Sequence, residues 1–391
     1  MTRASHESAL ATGGAYNVKE DVLEFEHMPQ DLPTPKDGDE FLARFREDFE
    51  IKVLDRPSEN ELVFEMIGVD ASFANALRRI LLADVPTIAI EHVYMWNNTS
   101  IVHDEVLAHR LGLVPLNVDA RLFDEMEPGE DPTDRNTLVF RLAVTCGKMK
   151  SNKKSNIDVS PEDSVVVNPE LDEAAAAANR KTAIETPGRP YTKHVYSSDL
   201  VWVPQGDQEE QFPNGIKPVH DDILLAKLRP GQVIELEAHA HWGTGQNHAK
   251  YSPVATACYR LMPRIELVKP VYDELAEELV NLYEPGVFDL VKTDSSDPGG
   301  KRVKARAVNP YACTMSRNFM RNPTLAESIK MSRVPNHFIF SVESVGMMSP
   351  AVLVAEALRV LQQKCLRLSE LADRSGLATD GILVDDSKME D

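Results

Sequence analysis

The sequence predicts an α+β protein, in which strands and helices occupy separate stretches of the chain. Two observations carry this prediction. The runs 49–53 and 62–66 alternate apolar and polar residues, a pattern typical of strands with one buried face. The stretches 73–81 and 354–372 instead repeat apolar residues every three or four positions, which is typical of helices that bury one side. With 391 residues, the chain is long enough for about two or three domains.

The N-terminal part of the chain changes character near residue 41. Residues 1–40 are rich in Ser, Ala, Gly, Pro and acidic side chains without a sustained apolar period, so we predict a mobile tail. The two alternating runs that follow are separated by Pro57, Ser58 and Asn60, which favour a turn. Together they predict a β-hairpin.

The first predicted helix is amphipathic. Its apolar stripe consists of Phe73, Leu77, Ile80 and Leu81. Asp70 or Ser72 can cap its first turn, and Pro86 disfavours helical geometry at the preceding residue, so the helix should end there. Arg78 and Arg79 stand beside the stripe. They are either part of a contact with another surface or surface arginines whose stems cover apolar area.

A strand and a second, shorter helix should follow. The strand is indicated by the residues Ile88, Ile90, Val93 and Tyr94. Asp104 is placed to cap the helix, Gly112 is typical of a helix C-cap, and Pro115 stops the helix shortly afterwards.

Residues 120–255 predict short strands joined by long loops. The strand candidates are Leu138–Val144, the stretch from Val195 to Val203 that includes Leu200 and Trp202, and Val233–Ala238. The alanine run Ala174–Ala178 suits either a helix or a flexible spacer. Beyond this region we predict a strand over Ala255–Leu267, an acidic helix over Asp273–Leu282, a long loop over 292–323 and a strand over His337–Val342.

The last predicted helix is the longest. Ser349 is its expected N-cap and Pro350 its first residue. Apolar side chains recur along it at alternating spacings of four and three, at Val354, Leu358, Leu361, Cys365, Leu368 and Ala372. Such a seam is typical of helix-on-helix packing, so it requires a partner surface from this chain or from another one.

Composition excludes several classes of function. Lys and Arg number 42 and Asp and Glu 62, and the resulting net charge of −20 opposes a chain-wide attraction to nucleic-acid phosphates. The four cysteines are scattered, no secretory signal leads the chain, and no apolar run reaches the length of a membrane span. We therefore expect a reducing compartment, cytosolic or nuclear, and no membrane partner.

Two sets of residues suggest other chemistry. His239 and His241 alternate on a predicted strand with His248 nearby, but convincing further ligands are lacking, so we expect no metal site. Gly243-Thr-Gly245 lacks the third glycine of a dinucleotide fingerprint and predicts a turn, and no cofactor site or catalytic constellation is expected. The basic runs Lys148–Lys154 and Lys301–Arg306 leave one alternative open, a stand-alone nucleic-acid-binding module.

Five stretches of the sequence resemble the alpha-subunit family of multisubunit RNA polymerases. They are Ala74 to Leu81 (ANALRRIL), Asp84 to Ile90 (DVPTIAI), Asp104 to Leu116 (DEVLAHRLGLVPL), His248 to Leu261 (HAKYSPVATACYRL) and Asn336 to Gly346 (NHFIFSVESVG). They are most similar to the larger alpha-like subunits shared by eukaryotic RNA polymerases I and III, which are relatives of the bacterial alpha N-terminal domain and of its archaeal counterpart. Polymerase II counterparts carry clustered cysteines in an inserted domain, where this chain has only Cys146.

The resemblance implies a domain organisation and a function. A discontinuous dimerisation domain, residues 41–116 and 256–391, would be interrupted by a mostly β domain over 117–255. The chain would be a noncatalytic scaffold that pairs with a smaller alpha-like subunit and carries the largest and second-largest subunits. The complex would act in the nucleus, including the nucleolus, on ribosomal RNA, 5S RNA and transfer RNA genes. No direct sequence-specific DNA contact is expected from this chain.

The resemblance, together with the two helical stripes, also predicts the residues of the subunit interface. On the first helix they are Phe73, Asn75, Leu77, Arg78, Arg79 and Leu81, and on the last helix Val354, Leu358, Leu361, Cys365 and Leu368. The apolar members would lose water at helix-on-helix contacts, in an interface of the obligate class that buries roughly 2,000 Å² or more.

Overall fold

A computed structural model of the chain describes residues 16–18, 23–25, 38–126, 129–147, 192–293 and 302–374. Its helices are α1 (Gly38–Asp48), α2 (Ala71–Ala83), α3 (Asp104–Gly112), α4 (Gln208–Gln211), α5 (Asp273–Leu282), α6 (Pro323–Ser328) and α7 (Pro350–Arg374). Its strands are β1 (Tyr16–Val18), β2 (Leu23–Phe25), β3 (Glu50–Asp55), β4 (Glu61–Ile67), β5 (Pro86–Asn98), β6 (Thr137–Thr145), β7 (Lys193–Tyr196), β8 (Val201–Val203), β9 (Leu224–Leu228), β10 (Val233–Thr244), β11 (Val254–Leu267), β12 (Phe288–Lys292), β13 (Val303–Ala307) and β14 (Ile329–Ser344). The predicted α+β class is confirmed.

The chain forms two compact units, and each is discontinuous in sequence. One consists of Met1–Arg79 with Thr256–Glu343, and the other of Ile80–Ala255 with Ser344–Asp391. The domains predicted from the resemblance divide the chain differently, because they place 80–116 and 344–391 in the dimerisation domain. Those domain boundaries stay a prediction.

The first unit is built on a sheet in the order β2-β1-β14-β4-β3, with β11 also paired to β14. The predicted hairpin is confirmed, since β3 pairs with β4 in a register that sets Val53 opposite Phe64. Phe64 and Phe340 on the neighbouring strand are fully buried and stack with ring centroids 5.1 Å apart. Strands β1 and β2 and the first three residues of α1 lie inside the range that the sequence assigned to a mobile tail, so that assignment is wrong for residues 16–18, 23–25 and 38–40.

The same unit contains a second, small core, built mostly from the residues that lie between β11 and β14 in sequence. Helix α5 has the predicted bounds, and β12 pairs with β13. The prediction of one long loop over 292–323 is wrong, because β13 and two 3-10 turns lie within it and α6 begins at its end. The residues that fill this core include Tyr283, Phe288, Phe319, Leu325 and Met331. They come from separate segments between residues 283 and 331, and α5 adds Ala276 and Leu279.

The second unit contains an antiparallel sheet in the order β5-β10-β6-β8 and a two-stranded pair of β7 with β9. One face of the larger sheet is covered by a continuous apolar core, to which α3 contributes Leu107 and Leu111. Both predicted caps of α3 are wrong. Asp104 lies in the first turn after His103, and Gly112 is the last helical residue, followed by Leu113 in the right-handed helical conformation.

Other predictions in this unit are confirmed. Strands β6 and β10 lie where the sequence placed strands, and α7 starts at Pro350 with the Leu353 amide donating to the Ser349 carbonyl. The single strand predicted from Val195 to Val203 is wrong, because a 3-10 turn separates β7 from β8 and the two strands belong to different sheets. The basic run Lys148–Lys154 and the alanine run Ala174–Ala178 lie outside the described residues. Within the described part of the chain, no helix is both long and apolar enough to cross a membrane.

Candidate subunit-assembly site

Helix α2 starts and ends as the sequence predicts. The Asp70 carboxylate accepts hydrogen bonds from the backbone N–H of Ser72, at 2.9 Å, and from its hydroxyl, at 2.5 Å. These hydrogen bonds lower the pKa of the Asp70 carboxyl below its usual value. The helix stops at Ala83, and β5 begins at Pro86. Asp70 is therefore the N-cap, and the side chains of the helix are held in a defined register.

The predicted polar residues of α2 divide into an anchored and an exposed part. The Asn75 side-chain oxygen accepts two hydrogen bonds from the Arg78 guanidinium, at 3.1 Å from Nε and 2.9 Å from Nη2. Arg78 is half-buried and Arg79 is exposed. Because Asn75 fixes the Arg78 fork, the guanidinium of Arg78 is preorganised, whereas the exposed Arg79 is available to another surface.

The predicted apolar residues of α2 are less accessible than the sequence analysis expected. Leu77 and Leu81 are fully buried within the chain, with no exposed surface. Phe73 is half-buried and makes edge-to-face contacts with Phe45 and Phe49, at centroid distances of 6.1 and 6.4 Å. Leu77 and Leu81 have no surface left to lose water, so any effect of theirs on association acts through the position of α2.

Helix α7 changes from buried to exposed along its length. Leu353 and Ala357 are buried, and the predicted residues Val354, Leu358 and Leu361 are half-buried. Cys365 and Leu368, also predicted, are exposed. Leu366 and Leu371, which were not among the predicted residues, are 57% and 51% exposed, and Leu368 is 66% exposed. Leu366 and Leu371 are five positions apart and lie on opposite sides of the predicted seam, so no three- or four-residue period marks them.

A loop from β10 packs closely against the end of α2. An added Cβ at Gly245 would overlap the carbonyl oxygen of Leu82, so only glycine allows this approach. The Gln246 amide donates to the Ala83 carbonyl at 2.9 Å. Gly245 lies in the predicted turn, whereas Gly243 belongs to β10, and the turn prediction is wrong for it. A Cβ at Gly243 would lie 2.6 to 2.8 Å from the ring of Tyr251, so this glycine makes room for that ring.

The next residues of the loop bind β5. Lys250 Nζ donates to the Ile90 carbonyl at 2.8 Å and forms an ion pair with Glu91. The Tyr251 hydroxyl donates to Glu91 Oε2 at 2.8 Å, and the Tyr251 carbonyl accepts from the Thr87 hydroxyl at 2.7 Å. Two of the stretches that carry the family resemblance thus meet here, although Lys250 and Glu91 lie far apart in sequence.

The electrostatics of this cluster are coherent. Partial burial raises the pKa of the Glu91 carboxyl, but hydrogen bonds from Lys250 and Tyr251 outweigh burial and hold the pKa below its usual value. Burial, followed by the Glu91 carboxylate, raises the pKa of the Tyr251 hydroxyl. Glu91 is therefore a stable anion and Tyr251 a stable donor near neutral pH. The cluster holds the loop in one conformation but presents no nucleophile and base aimed at a common point.

The three histidines weighed as metal ligands have separate partners. His239 Nε2 lies 2.9 Å from Glu237 Oε1, and His241 Nδ1 lies 3.2 Å from the Thr137 hydroxyl. His248 Nδ1 accepts from the backbone N–H of Lys250 at 3.1 Å. In the described ranges, no group of three or more His, Cys, Asp or Glu side chains is arranged to hold a metal ion.

The described part of the basic run, Arg302 to Arg306, leads into and forms strand β13, which pairs with β12. Lys301 lies outside the described residues. The amides of Arg302 and Val303 donate to the Asp273 carboxylate, at 2.8 and 3.2 Å, and Arg306 pairs across the hairpin with Asp289. Arg302, Lys304 and Arg306 are spaced two residues apart, so they line one face of the strand, and Asp289 on the paired strand lies opposite Arg306.

Comparisons with known proteins point in one direction. The family model of the RNA polymerase Rpb3/Rpb11 dimerisation domain matches residues 63–365. The chain is 45% identical over 333 residues to the human DNA-directed RNA polymerases I and III subunit RPAC1, an alignment that covers 84% of this chain and 86% of that protein. It is 41% identical over 327 residues to the Dictyostelium discoideum subunit of the same name, covering 83% and 82%. It is 39% identical over 331 residues to the Saccharomyces cerevisiae subunit of the same name, an alignment that covers 83% of this chain and 87% of that protein.

Proposed function

Because the chain belongs to the RNA polymerase Rpb3/Rpb11 dimerisation-domain family, we propose that it is a noncatalytic assembly subunit shared by RNA polymerases I and III. In this role it pairs with a smaller alpha-like subunit and carries the largest and second-largest subunits. It acts in the nucleus, in the nucleolus with polymerase I and in the nucleoplasm with polymerase III. Nucleotide polymerisation is an activity of the assembled complex.

The exposed half of α7 is the observation that carries the pairing proposal. Cys365, Leu366, Leu368 and Leu371 are all exposed on a regular helix. Burying the exposed half of one leucine side chain contributes on the order of 1 kcal/mol. Cys365 and Leu368 continue the face of the half-buried Leu358 and Leu361, with Leu366 and Leu371 on either side of it. This face is the apolar centre expected of an obligate interface, which buries roughly 2,000 Å² or more.

The end of α2 and the loop packed on it are proposed to meet a large subunit. Arg79 is exposed next to the Arg78 fork that Asn75 orients. The Glu91, Lys250 and Tyr251 cluster fixes a second surface beside the stretches that carry the resemblance. Arginine forks and preorganised polar surfaces favour carboxylate and backbone acceptors of a protein partner, and rigid surfaces lose little entropy on binding.

The test is co-purification of the tagged full chain under moderately high salt, with the stoichiometry of the recovered chains read by mass spectrometry. We expect a small alpha-like chain at one to one together with two very large chains. Leu368→Asp should abolish recovery of the small chain because it places a charge in an apolar interface. Val201→Asp, at a valine that is 55% exposed outside α7, is the matched control and should assemble normally.

Two outcomes would contradict the proposal. One is recovery of wild-type chain alone or with nucleic acid only, which would favour the basic-loop alternative. The other is normal recovery of the small chain by the Leu368→Asp variant, which would remove α7 from the pairing interface.

A further inference from the structure

The outer face of the larger sheet in the second unit carries two exposed aromatic side chains. Tyr94 and Trp96 lie two residues apart on β5, the terminal strand of the sheet, and are 51% and 54% exposed. The opposite face of this sheet is covered by the apolar core. Trp96 lies at a β-bulge, where the register skips from Asn97 to Met95. Exposed aromatic residues are typical of recognition surfaces, because rigid rings bury much area at little cost in entropy.

One of the two aromatic rings already holds a cation from this chain. The Arg141 guanidinium lies over the Trp96 ring, 5.3 Å from its centroid, and donates from Nη2 to Glu235 Oε1 at 3.2 Å. The three side chains come from three adjacent strands. The arrangement is an aromatic face and a carboxylate that share one arginine, so each group stabilises the bound cation.

The second ring, Tyr94, also lies beside a glutamate, but among the described residues no arginine lies over it. Tyr94 pairs across the strands with Glu237, two residues beyond Glu235. Arg141 lies opposite Glu237 in the register, but its guanidinium reaches along the sheet to Glu235. The Glu237 carboxylate instead contacts His239, whose ring meets Tyr94 edge to face at 4.8 Å. The face thus has two carboxylates and two aromatic rings for one arginine.

From this imbalance we propose that the outer face of β5 and β10 binds an arginine-bearing segment of another polypeptide. A partner arginine would lie over Tyr94 and pair with Glu237, as Arg141 does with Trp96 and Glu235. The excess of one carboxylate favours a cation, and the flat ring favours a planar guanidinium over a lysine ammonium. The site lies on β5 and β10 rather than on α7, and it does not depend on the assembly role.

The experiment is a calorimetric titration of the purified full chain with a short peptide of alternating glycine and arginine, at about physiological salt. We expect saturable binding. Tyr94→Ala and Glu237→Gln should each weaken it about two- to fivefold, the range for exposed cation–π and charge contacts. Tyr94→Phe should bind as wild type because it keeps the ring. Glu209→Gln, an exposed carboxylate on α4, is the control for net charge and should also bind as wild type.

A further variant separates this site from general attraction to an acidic protein. Arg141→Ala removes the guanidinium that lies over Trp96 and pairs with Glu235, which frees this position for an arginine of the peptide. The variant should therefore bind the peptide more tightly or bind a second peptide per chain. Weaker binding by that variant would overturn the proposal, as would equal affinities for Glu237→Gln and Glu209→Gln. Equally tight binding of a glycine–glutamate peptide, or self-association of the chain that Tyr94→Ala abolishes, would assign the face to a different occupant and overturn it too.

Discussion

The close approach of Gly243 to Tyr251 gives a sharp prediction about the candidate site. In Gly243→Ala, the new Cβ would lie 2.6 to 2.8 Å from three atoms of the Tyr251 ring. The ring cannot simply swing aside, because its hydroxyl is bonded to Glu91 and its carbonyl to Thr87. Overpacking of this kind costs about 1–3 kcal/mol, and loss of the hydroxyl hydrogen bond adds about 1 kcal/mol. We expect a loss of about 2–4 kcal/mol in the free energy of unfolding.

Urea unfolding of the full chain, followed by intrinsic fluorescence, measures this loss as a shift of the midpoint. Gly147→Ala is the matched control, since nothing lies within 4 Å of the position that its Cβ would take. Without a clash, Gly→Ala restricts the unfolded chain and should be neutral or stabilising by up to about 1 kcal/mol. The two substitutions are chemically identical, so their difference isolates the contact with Tyr251.

A double-mutant cycle locates the cost. In a Tyr251→Leu background the ring is absent, and Gly243→Ala should then cost well under half of its effect in wild type. If Gly243→Ala has the same cost in both backgrounds, or no cost in wild type, the ring is not what this glycine accommodates. The explanation of the loop geometry would then be wrong.

Three further predictions concern other positions. Leu77→Ala should lower the free energy of unfolding of the single chain by about 2–5 kcal/mol, because Leu77 is fully buried. Leu368→Ala, at an exposed position, should change it by less than about 0.5 kcal/mol. Equal effects of the two substitutions in urea unfolding would contradict this difference in burial. Asp70→Ala should cost about 0.5–2 kcal/mol as a lost helix cap. Because hydrogen bonds hold the pKa of Asp70 below 3.8, its contribution is present above that pH and disappears as the pH falls through the folded-state value, so Asp70→Asn should flatten the acid side of the stability profile. Gly68 and Gly231 both have a left-handed backbone conformation, but only a Cβ added at Gly68 would overlap a carbonyl oxygen, that of Asp48 at the end of α1. Gly68→Ala should therefore lower the thermal unfolding temperature much further than Gly231→Ala.

Local patterns in the sequence predicted the elements that local physics controls. Asp70 caps α2, Pro86 marks the start of β5, and α5 begins and ends where its acidic and apolar residues indicate. Each of these features depends on residues within one or two helical turns. The predicted C-cap of α3 failed because Gly112 lies close to the Ile90 carbonyl and to Lys250, so that glycine serves a tertiary contact instead of a turn. At the other end, the Asp104 carboxylate accepts a hydrogen bond from the Asn98 side chain.

Contacts between distant parts of the chain explain most of what the sequence analysis missed. Lys250 and Glu91 form an ion pair, and neither residue carries a local signal of the other. Gly243 resembled part of a fingerprint motif, yet its role is set by a ring eight positions later. The family resemblance compensates for this limit, since it joins separate stretches without explaining their contacts. The structure gives the physical reason why two of these stretches occur together, since Lys250 and Tyr251 bind β5 at Ile90 and Glu91.

The seam on α7 shows what periodicity can and cannot decide. A stripe of apolar residues predicts that a helix face leaves water, but not whether the covering surface belongs to the same chain. Burial makes that distinction, because Leu353 and Ala357 are covered within this chain, whereas the side chains of residues 362–371 are exposed. From residue 362 to Arg374 the helix extends about 20 Å, at ~1.5 Å per residue. In the proposed pairing, the partner must therefore offer an apolar surface of comparable length. A helix of an alpha-like partner provides such a surface more readily than a loop.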